Sequence, residues 1–143
     1  MLSAAQISLV QNSFRQVMPI ADQASELFYR RLFELDPSLR PMFPDQMAKQ
    51  RHTLVVTLSV LIGSLAYIDG LVPTIEEMGR RYAAYGVEPS HVETARLALL
   101  STLESGLGDA FTPELRAAWT AVYNLLAEVM KRGMTEGRLA VAA

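Results

Sequence analysis

Residues 113–130 read Pro-Glu-Leu-Arg-Ala-Ala-Trp-Thr-Ala-Val-Tyr-Asn-Leu-Leu-Ala-Glu-Val-Met, and their apolar spacing decides the secondary-structure class. Leu115, Trp119, Val122, Leu126, Val129 and Met130 follow the i, i+3, i+4, i+7 rhythm of one helical face. A half-buried strand would instead alternate with a period of two. The start is marked by Thr112, whose hydroxyl can cap the first turn. Pro113 follows, where the missing N–H costs nothing.

Upstream, residues 90–107 repeat the pattern with Val92, Ala95, Leu99, Leu103 and Leu107, and Gly106-x-Gly108 reads as their terminator. The stretch from Gln46 to Ala66 is apolar on all sides, as expected of a helix buried over most of its surface. Prolines at 19, 37, 41, 44, 73, 89 and 113 are excluded from helix interiors and so mark boundaries. Ser3 with Gln6 forms a capping-box pattern, and Asp36 precedes Pro37 as a second cap. These signals predict helices over 3–17, 20–35, 46–67, 74–84, 90–107 and 113–136, with a short turn at 37–42. The only β-like run, Leu54-Val55-Val56, lies inside a helical segment. The expected architecture is all-α, a single domain over 1–137 with a frayed tail at 138–143.

Composition narrows the chemistry. Of 143 residues half are hydrophobic and a fifth charged, and the formal net charge is −2, which gives no electrostatic reason for a nucleic-acid or anionic-membrane partner. The longest apolar span, Leu54 to Ile68, has 15 residues, short of the roughly 20 a membrane helix needs. A cytoplasmic, soluble protein is expected. Cysteine is absent, which excludes disulfides, thiol nucleophiles, zinc–thiolate sites and iron–sulfur clusters. The histidines are His52 and His91 alone. No glycine-rich phosphate loop follows a strand, and no serine stands with a histidine in a hydrolase arrangement.

Several stretches resemble bacterial globins, specifically the haem domain of flavohaemoglobins and their single-domain relatives. Phe28-Tyr29-Arg30-Arg31-Leu32-Phe33, then Asp36-Pro37 and Met42-Phe43, resemble the second helix and its corner. Gln50-Arg51-His52-Thr53-Leu54 resembles the distal helix, and Tyr85-Gly86-Val87-Glu88-Pro89-Ser90-His91 the turn after the proximal helix. Leu107-Gly108-Asp109-Ala110-Phe111-Thr112-Pro113 and Ala117-Ala118-Trp119 resemble the link into the last helix. The resemblance implies a globin fold with a slot for haem b. It implies a ligand such as O₂, NO or peroxide, with Tyr29 and Gln50 as a distal polar pair, and Leu54 and Phe43 as apolar walls. Nitric-oxide dioxygenase or peroxidase-like chemistry would then draw electrons from a reductase partner.

On the proximal side the chain departs from this pattern. Where the family carries its iron-ligating histidine, three residues before the Tyr-Gly-Val turn, stands Tyr82. The family's supporting tyrosine corresponds to Val92, and a usually small position one turn later is Arg96. Two readings of Tyr82 stand. As a tyrosinate it would ligate ferric haem, with Arg81 or Arg96 favouring its ionisation. As an apolar filler it would belong to a haem-free globin fold, a sensor or interaction module whose slot holds side chains or another apolar ligand. His52, two residues past Gln50, points about 200° away from the distal face at about 100° per residue. His91 lies in the first turn of the following helix, and Met78 one turn before Tyr82; each is a lesser ligand candidate. Arg80 and Arg81 lie four residues beyond Glu76 and Glu77, as surface salt bridges or, for Arg80 or Arg81, a propionate contact that the resemblance implies. Trp119 is expected in the core between the last two long helices.

Overall fold

The capping box at Ser3 forms in both directions: Gln6 N–H donates to Ser3 Oγ at 3.1 Å, and Ser3 N–H to Gln6 Oε1 at 3.0 Å. It opens the first of six helices in a computed structural model of the chain, which describes residues 2–142 and side chains as far as residue 137. The helices are α1 (Ala4–Val17), α2 (Ala21–Leu35), α3 (Ala48–Gly63), α4 (Val72–Ala84), α5 (Pro89–Leu107) and α6 (Pro113–Ala142). Short 3₁₀ turns join them at Met18–Ile20, Pro37–Met42, Leu65–Leu71 and Gly108–Ala110. The other two caps also form. Leu115 N–H donates to Thr112 Oγ1 at 3.2 Å, and Ser38 N–H to Asp36 Oδ1 at 3.1 Å. Gly108, at φ +57°, ends α5 in a conformation that L side chains rarely adopt.

One expected helix is divided. The run predicted over 46–67 stops at Gly63, and Tyr67 in the following turn has non-helical angles of φ −124° and ψ 32°. Gly63 and Ser64 are weak helix formers, and Leu65, only 2% exposed, is drawn into the core beyond them. The chain then bends by 105° between α3 and the segment leading through α4. That bend separates α3 and α4, which become facing walls of the site. At the other end α6 runs past the predicted 136 to Ala142. The frayed tail expected at 138–143 lies outside the fully described residues. Among the described residues, no single helix is long and apolar enough to cross a membrane.

Val10 of α1, Ile62 of α3, Leu100 and Leu103 of α5, and Trp119 and Val122 of α6 build the main core. Trp119 also reaches α1: its Nε1–H donates to Ser13 Oγ at 2.8 Å, and that hydroxyl donates to Val10 O at 3.0 Å. Trp119 is 1% exposed, so its indole N–H has no access to water as an alternative acceptor. Ser13→Ala is therefore expected to cost about 1–3 kcal/mol, the penalty for a buried donor left alone. Urea unfolding should show a lower midpoint at unchanged slope.

The α4–α6 contact is the tightest in the fold. A Cβ on Gly79 would lie 2.1 Å from Met130 O, one on Gly133 2.0 Å from Glu76 O, and one on Gly137 3.1 Å from Arg80 O. The two backbones meet because these three side chains are hydrogen. Arg80 bonds Glu77 one turn away at 2.9 Å and Glu136 of α6 at 2.6 Å. Its role is thus a surface clasp over the seam, with the i, i+3 partner rather than the i, i+4 one.

Candidate functional site

Between α3 on one side and α4, α5 and α6 on the other lies a cavity of about 200 Å³ that opens to solvent. Tyr29, Phe43, Gln50, Leu54 and Tyr82, five of the residues singled out by sequence, line it together.

The α2–α3 wall is pre-set. Tyr29 is 6% exposed and meets Phe28 at 5.1 Å and Phe43 at 5.6 Å between ring centroids, both in edge-on contacts. Gln50 Nε2 donates to Tyr29 Oη at 3.2 Å, which leaves the phenolic hydrogen free for a ligand. Leu54, one helical turn beyond Gln50, adds the apolar part of this wall. Burial pushes the Tyr29 phenol up to about 12, against the pull of the Gln50 donor, and the facing Tyr82 adds to the rise.

Tyr82 on α4 stands across the cavity, and its hydroxyl has no hydrogen-bond partner among the described residues. Burial raises its pKa, and the Arg81 guanidinium pulls in the opposite direction with smaller effect. Arg81 itself is exposed and does not line the cavity. Arg96 does not face Tyr82 either. It is held outside, 3.1 Å from Glu93 and 3.3 Å from Asn124 Oδ1, because Glu93 and α6 offer it solvent-side partners. The expected help from Arg96 in ionising Tyr82 is absent from this geometry.

The remaining ligand candidates are also placed. His52 is exposed on the outer side of α3. Met78 is 9% exposed in the core and does not line the cavity. His91 does line it, yet its Nδ1 accepts the Glu88 N–H at 2.9 Å and its Nε2 lies 3.6 Å from Asp36 Oδ2. A neutral imidazole has one nitrogen lone pair. Here the helix cap holds it. Among the described residues no cluster of three or more His, Asp or Glu groups could hold a metal ion.

Tyr123 on α6 is a cavity residue that sequence reasoning passed over. It sits four positions after Trp119, a spacing that signalled only a helical face. Its hydroxyl donates to Val92 O at 2.6 Å, and burial raises its pKa, with Glu93 adding to the rise and Arg96 opposing it. Below it Val92, Ala127 and Met134 form an apolar cluster.

A pH dependence follows from Tyr29. Its folded-state pKa lies above the unfolded value, so the associated stability is present below pH 10 and lost as pH rises toward about 12. With a shift of two units worth about 2.7 kcal/mol, alkaline unfolding should steepen in that window. Tyr29→Phe should remove its share and leave the shallower loss due to the buried Tyr82 and Tyr123 phenols, as read by denaturant midpoints at successive pH values.

Residues 26–130, more than half the chain, match the globin family. This chain is a globin. It is 31% identical over 122 residues to neuroglobin of Danio rerio, covering 75% of this chain and 76% of that one. It is 27% identical over 121 residues to a flavohemoprotein of Bacillus subtilis, covering 80% of this globin but 30% of that longer protein. The globin thus spans under a third of that relative's length. Among solved structures, an engineered carbene transferase from Rhodothermus marinus superposes with a TM-score of 0.89 at 25% identity over the whole of both chains. The all-α globin architecture expected from the helix pattern and the resemblance is the observed one.

Proposed function

We propose that this globin binds haem b in the cavity, that the Tyr82 phenol would supply the protein oxygen that holds it, and that Tyr29 and Gln50 would hydrogen-bond a diatomic gas or peroxide from the facing wall. One observation carries the reading. Of the nitrogen- and oxygen-bearing side chains lining the α4–α5–α6 side, Tyr82 alone has a hydroxyl without a protein partner; His91 and Tyr123 are both engaged. An apolar slot with a free phenol on one wall and a hydrogen-bonding pair on the other suits a planar macrocycle with one protein ligand. Bound haem would supply the redox-active iron and the site for a gas.

The chain's own residues do the rest. Gln50 donates to the Tyr29 oxygen and so leaves the phenolic hydrogen available to a ligand, and the Phe28–Tyr29–Phe43 cluster holds the ring in place. Leu54 and Phe43 exclude water, which strengthens a hydrogen bond made inside the cavity. An anionic oxygen ligand favours the ferric state, so NO or peroxide chemistry suits this site better than reversible O₂ storage. Electrons for dioxygenation of NO would come from a reductase.

A second reading rests on a different observation. Burial raises the Tyr82 pKa and the Arg81 charge offsets it only in part, which keeps the phenol neutral without iron. In that reading the cavity holds an apolar organic ligand and the globin is a haem-free sensor. Hemin titration of the purified protein separates the two. A saturable one-to-one Soret change is expected, and its absence would leave the haem-free reading standing.

A further inference from the structure

The outer face of α3 carries a stripe that the described residues leave uncovered. Lys49, Thr53, Val56, Val60 and Gly63 are all exposed, Val56 at 47% and Val60 at 54%. Their spacing alternates between four and three residues, the a/d rhythm of a seam between two helices. The inner face of the same helix is already used: Leu61 and Ile62 are buried, and Leu54 and Leu58 line the cavity. Helix α3 therefore has two apolar faces, and the fold covers one of them. Residues 52–68 hold no Asp, Glu, Lys or Arg, so covering the second face would desolvate no charge along its middle. The nearby Ser59 hydroxyl already donates to Val55 O at 2.7 Å.

Opposite charges flank the stripe. Lys49 is exposed at its start and Asp69 is exposed in the turn beyond its end, and neither has an ion-pair partner among the described residues. Arg51 is turned aside toward Asp22, at 4.0 Å. We propose that α3 docks on α3 of a second copy of this chain, antiparallel, with Val56 of each copy against Val60 of the other and Thr53 against Gly63. Charge complementarity selects both the occupant and the direction. Antiparallel pairing brings each Lys49 to the other copy's Leu65–Leu71 turn, where Asp69 lies, whereas parallel pairing would set two Lys49 side by side. Gly63 admits the facing Thr53, since nothing lies within 4 Å of its Cβ position. With 16 residues, about 24 Å of helix, the contact is small and belongs to the weak, reversible class.

Nothing in this pairing depends on haem, so the test uses the purified chain without hemin. Sedimentation velocity over a wide concentration range should show a reversible monomer–dimer shift. Val60→Glu should weaken association by at least about tenfold, because a carboxylate would have to be desolvated in the seam. Val56→Lys is the second variant. Both positions are exposed and both replacements are better helix formers than valine, so the monomers should melt as before. Mixing the two variants should restore a mixed dimer, since the new charges meet across an antiparallel seam and would not meet across a parallel one. The chain has no cysteine, so copies carrying Thr53→Cys and copies carrying Gly63→Cys, oxidised together, should cross-link to one another in preference to themselves. The proposal is overturned by a monomer at every concentration, by folded variants that associate like the parent chain, or by cross-links between like copies alone. A monomer that instead sediments with phosphatidylcholine vesicles, and ceases to with Val60→Glu, would assign the stripe to a lipid surface and overturn the dimer equally.

Discussion

Gly133→Ala should destabilise the fold by about 3 kcal/mol or more, at the upper end of what overpacking a close contact costs, and lower Tm by roughly 10 °C for a domain of this size. The new methyl would lie 2.0 Å from Glu76 O and 2.7 Å from Glu76 C. A flexible side chain could swing aside, but here the obstacle is helix backbone, so α4 as a whole must move off α6. Gly79→Ala meets the same seam from the other helix, 2.1 Å from Met130 O. Gly63→Ala supplies the control: nothing lies within 4 Å of its Cβ position, so stability should be unchanged or slightly raised. Calorimetric unfolding of the three variants decides the matter. Equal Tm values for Gly133→Ala and Gly63→Ala would mean that the seam is not close-packed. The functional consequence is that Tyr82 rides on the helix that would be displaced. A destabilised but folded Gly133→Ala protein should therefore also bind hemin more weakly.

Tyr82→Phe should remove the ferric spectral signature of the hemin complex and weaken hemin binding by at least about tenfold, equivalent to about 1.4 kcal/mol. The substitution deletes one oxygen and keeps the ring. Because that hydroxyl makes no protein hydrogen bond, the fold should lose little; thermal unfolding without hemin is expected to change by less than about 1 kcal/mol. The pairing of a large spectral effect with a small stability effect is what distinguishes an iron ligand from a packing residue. An unchanged spectrum would exclude ligation by Tyr82. Tyr82→His provides the complementary gain, since an imidazole on the same helix position should shift the Soret band and stabilise the ferrous form with carbon monoxide.

The local signals were largely readable along the chain. A capping box, a threonine cap and a glycine terminator each involve residues within about one or two helical turns, the Leu115–Met130 stripe is built from repeats of three and four residues, and each forms as the spacing predicts. Tyr29, Gln50 and Leu54, singled out by the resemblance rather than by spacing, line one cavity because α2 and α3 carry them on their inner faces. Where the run over 46–67 was read as one helix, local apolarity outweighed the weak punctuation at Gly63 and Ser64, and the burial of Leu65 decided the break.

What no local pattern contained are the contacts between residues far apart in sequence. Gly79 and Gly133 are separately unremarkable glycines in helices, and only the docking of α4 on α6 turns them into a seam. Arg96 could have faced either way until Glu93 and Asn124 gave it partners outside the cavity. The imidazole of His91 is withdrawn from ligation by a backbone N–H and a neighbouring carboxylate, not by its place in the chain. The sequence by itself determined the all-α class and the helix order, and its resemblance to globins singled out Tyr82. Only the tertiary structure decided that this tyrosine has a free hydroxyl while its neighbours do not. The reason is physical: helical periodicity is set by contacts three and four residues apart, whereas hydrogen-bond partners inside a core are set by whichever distant helices pack there.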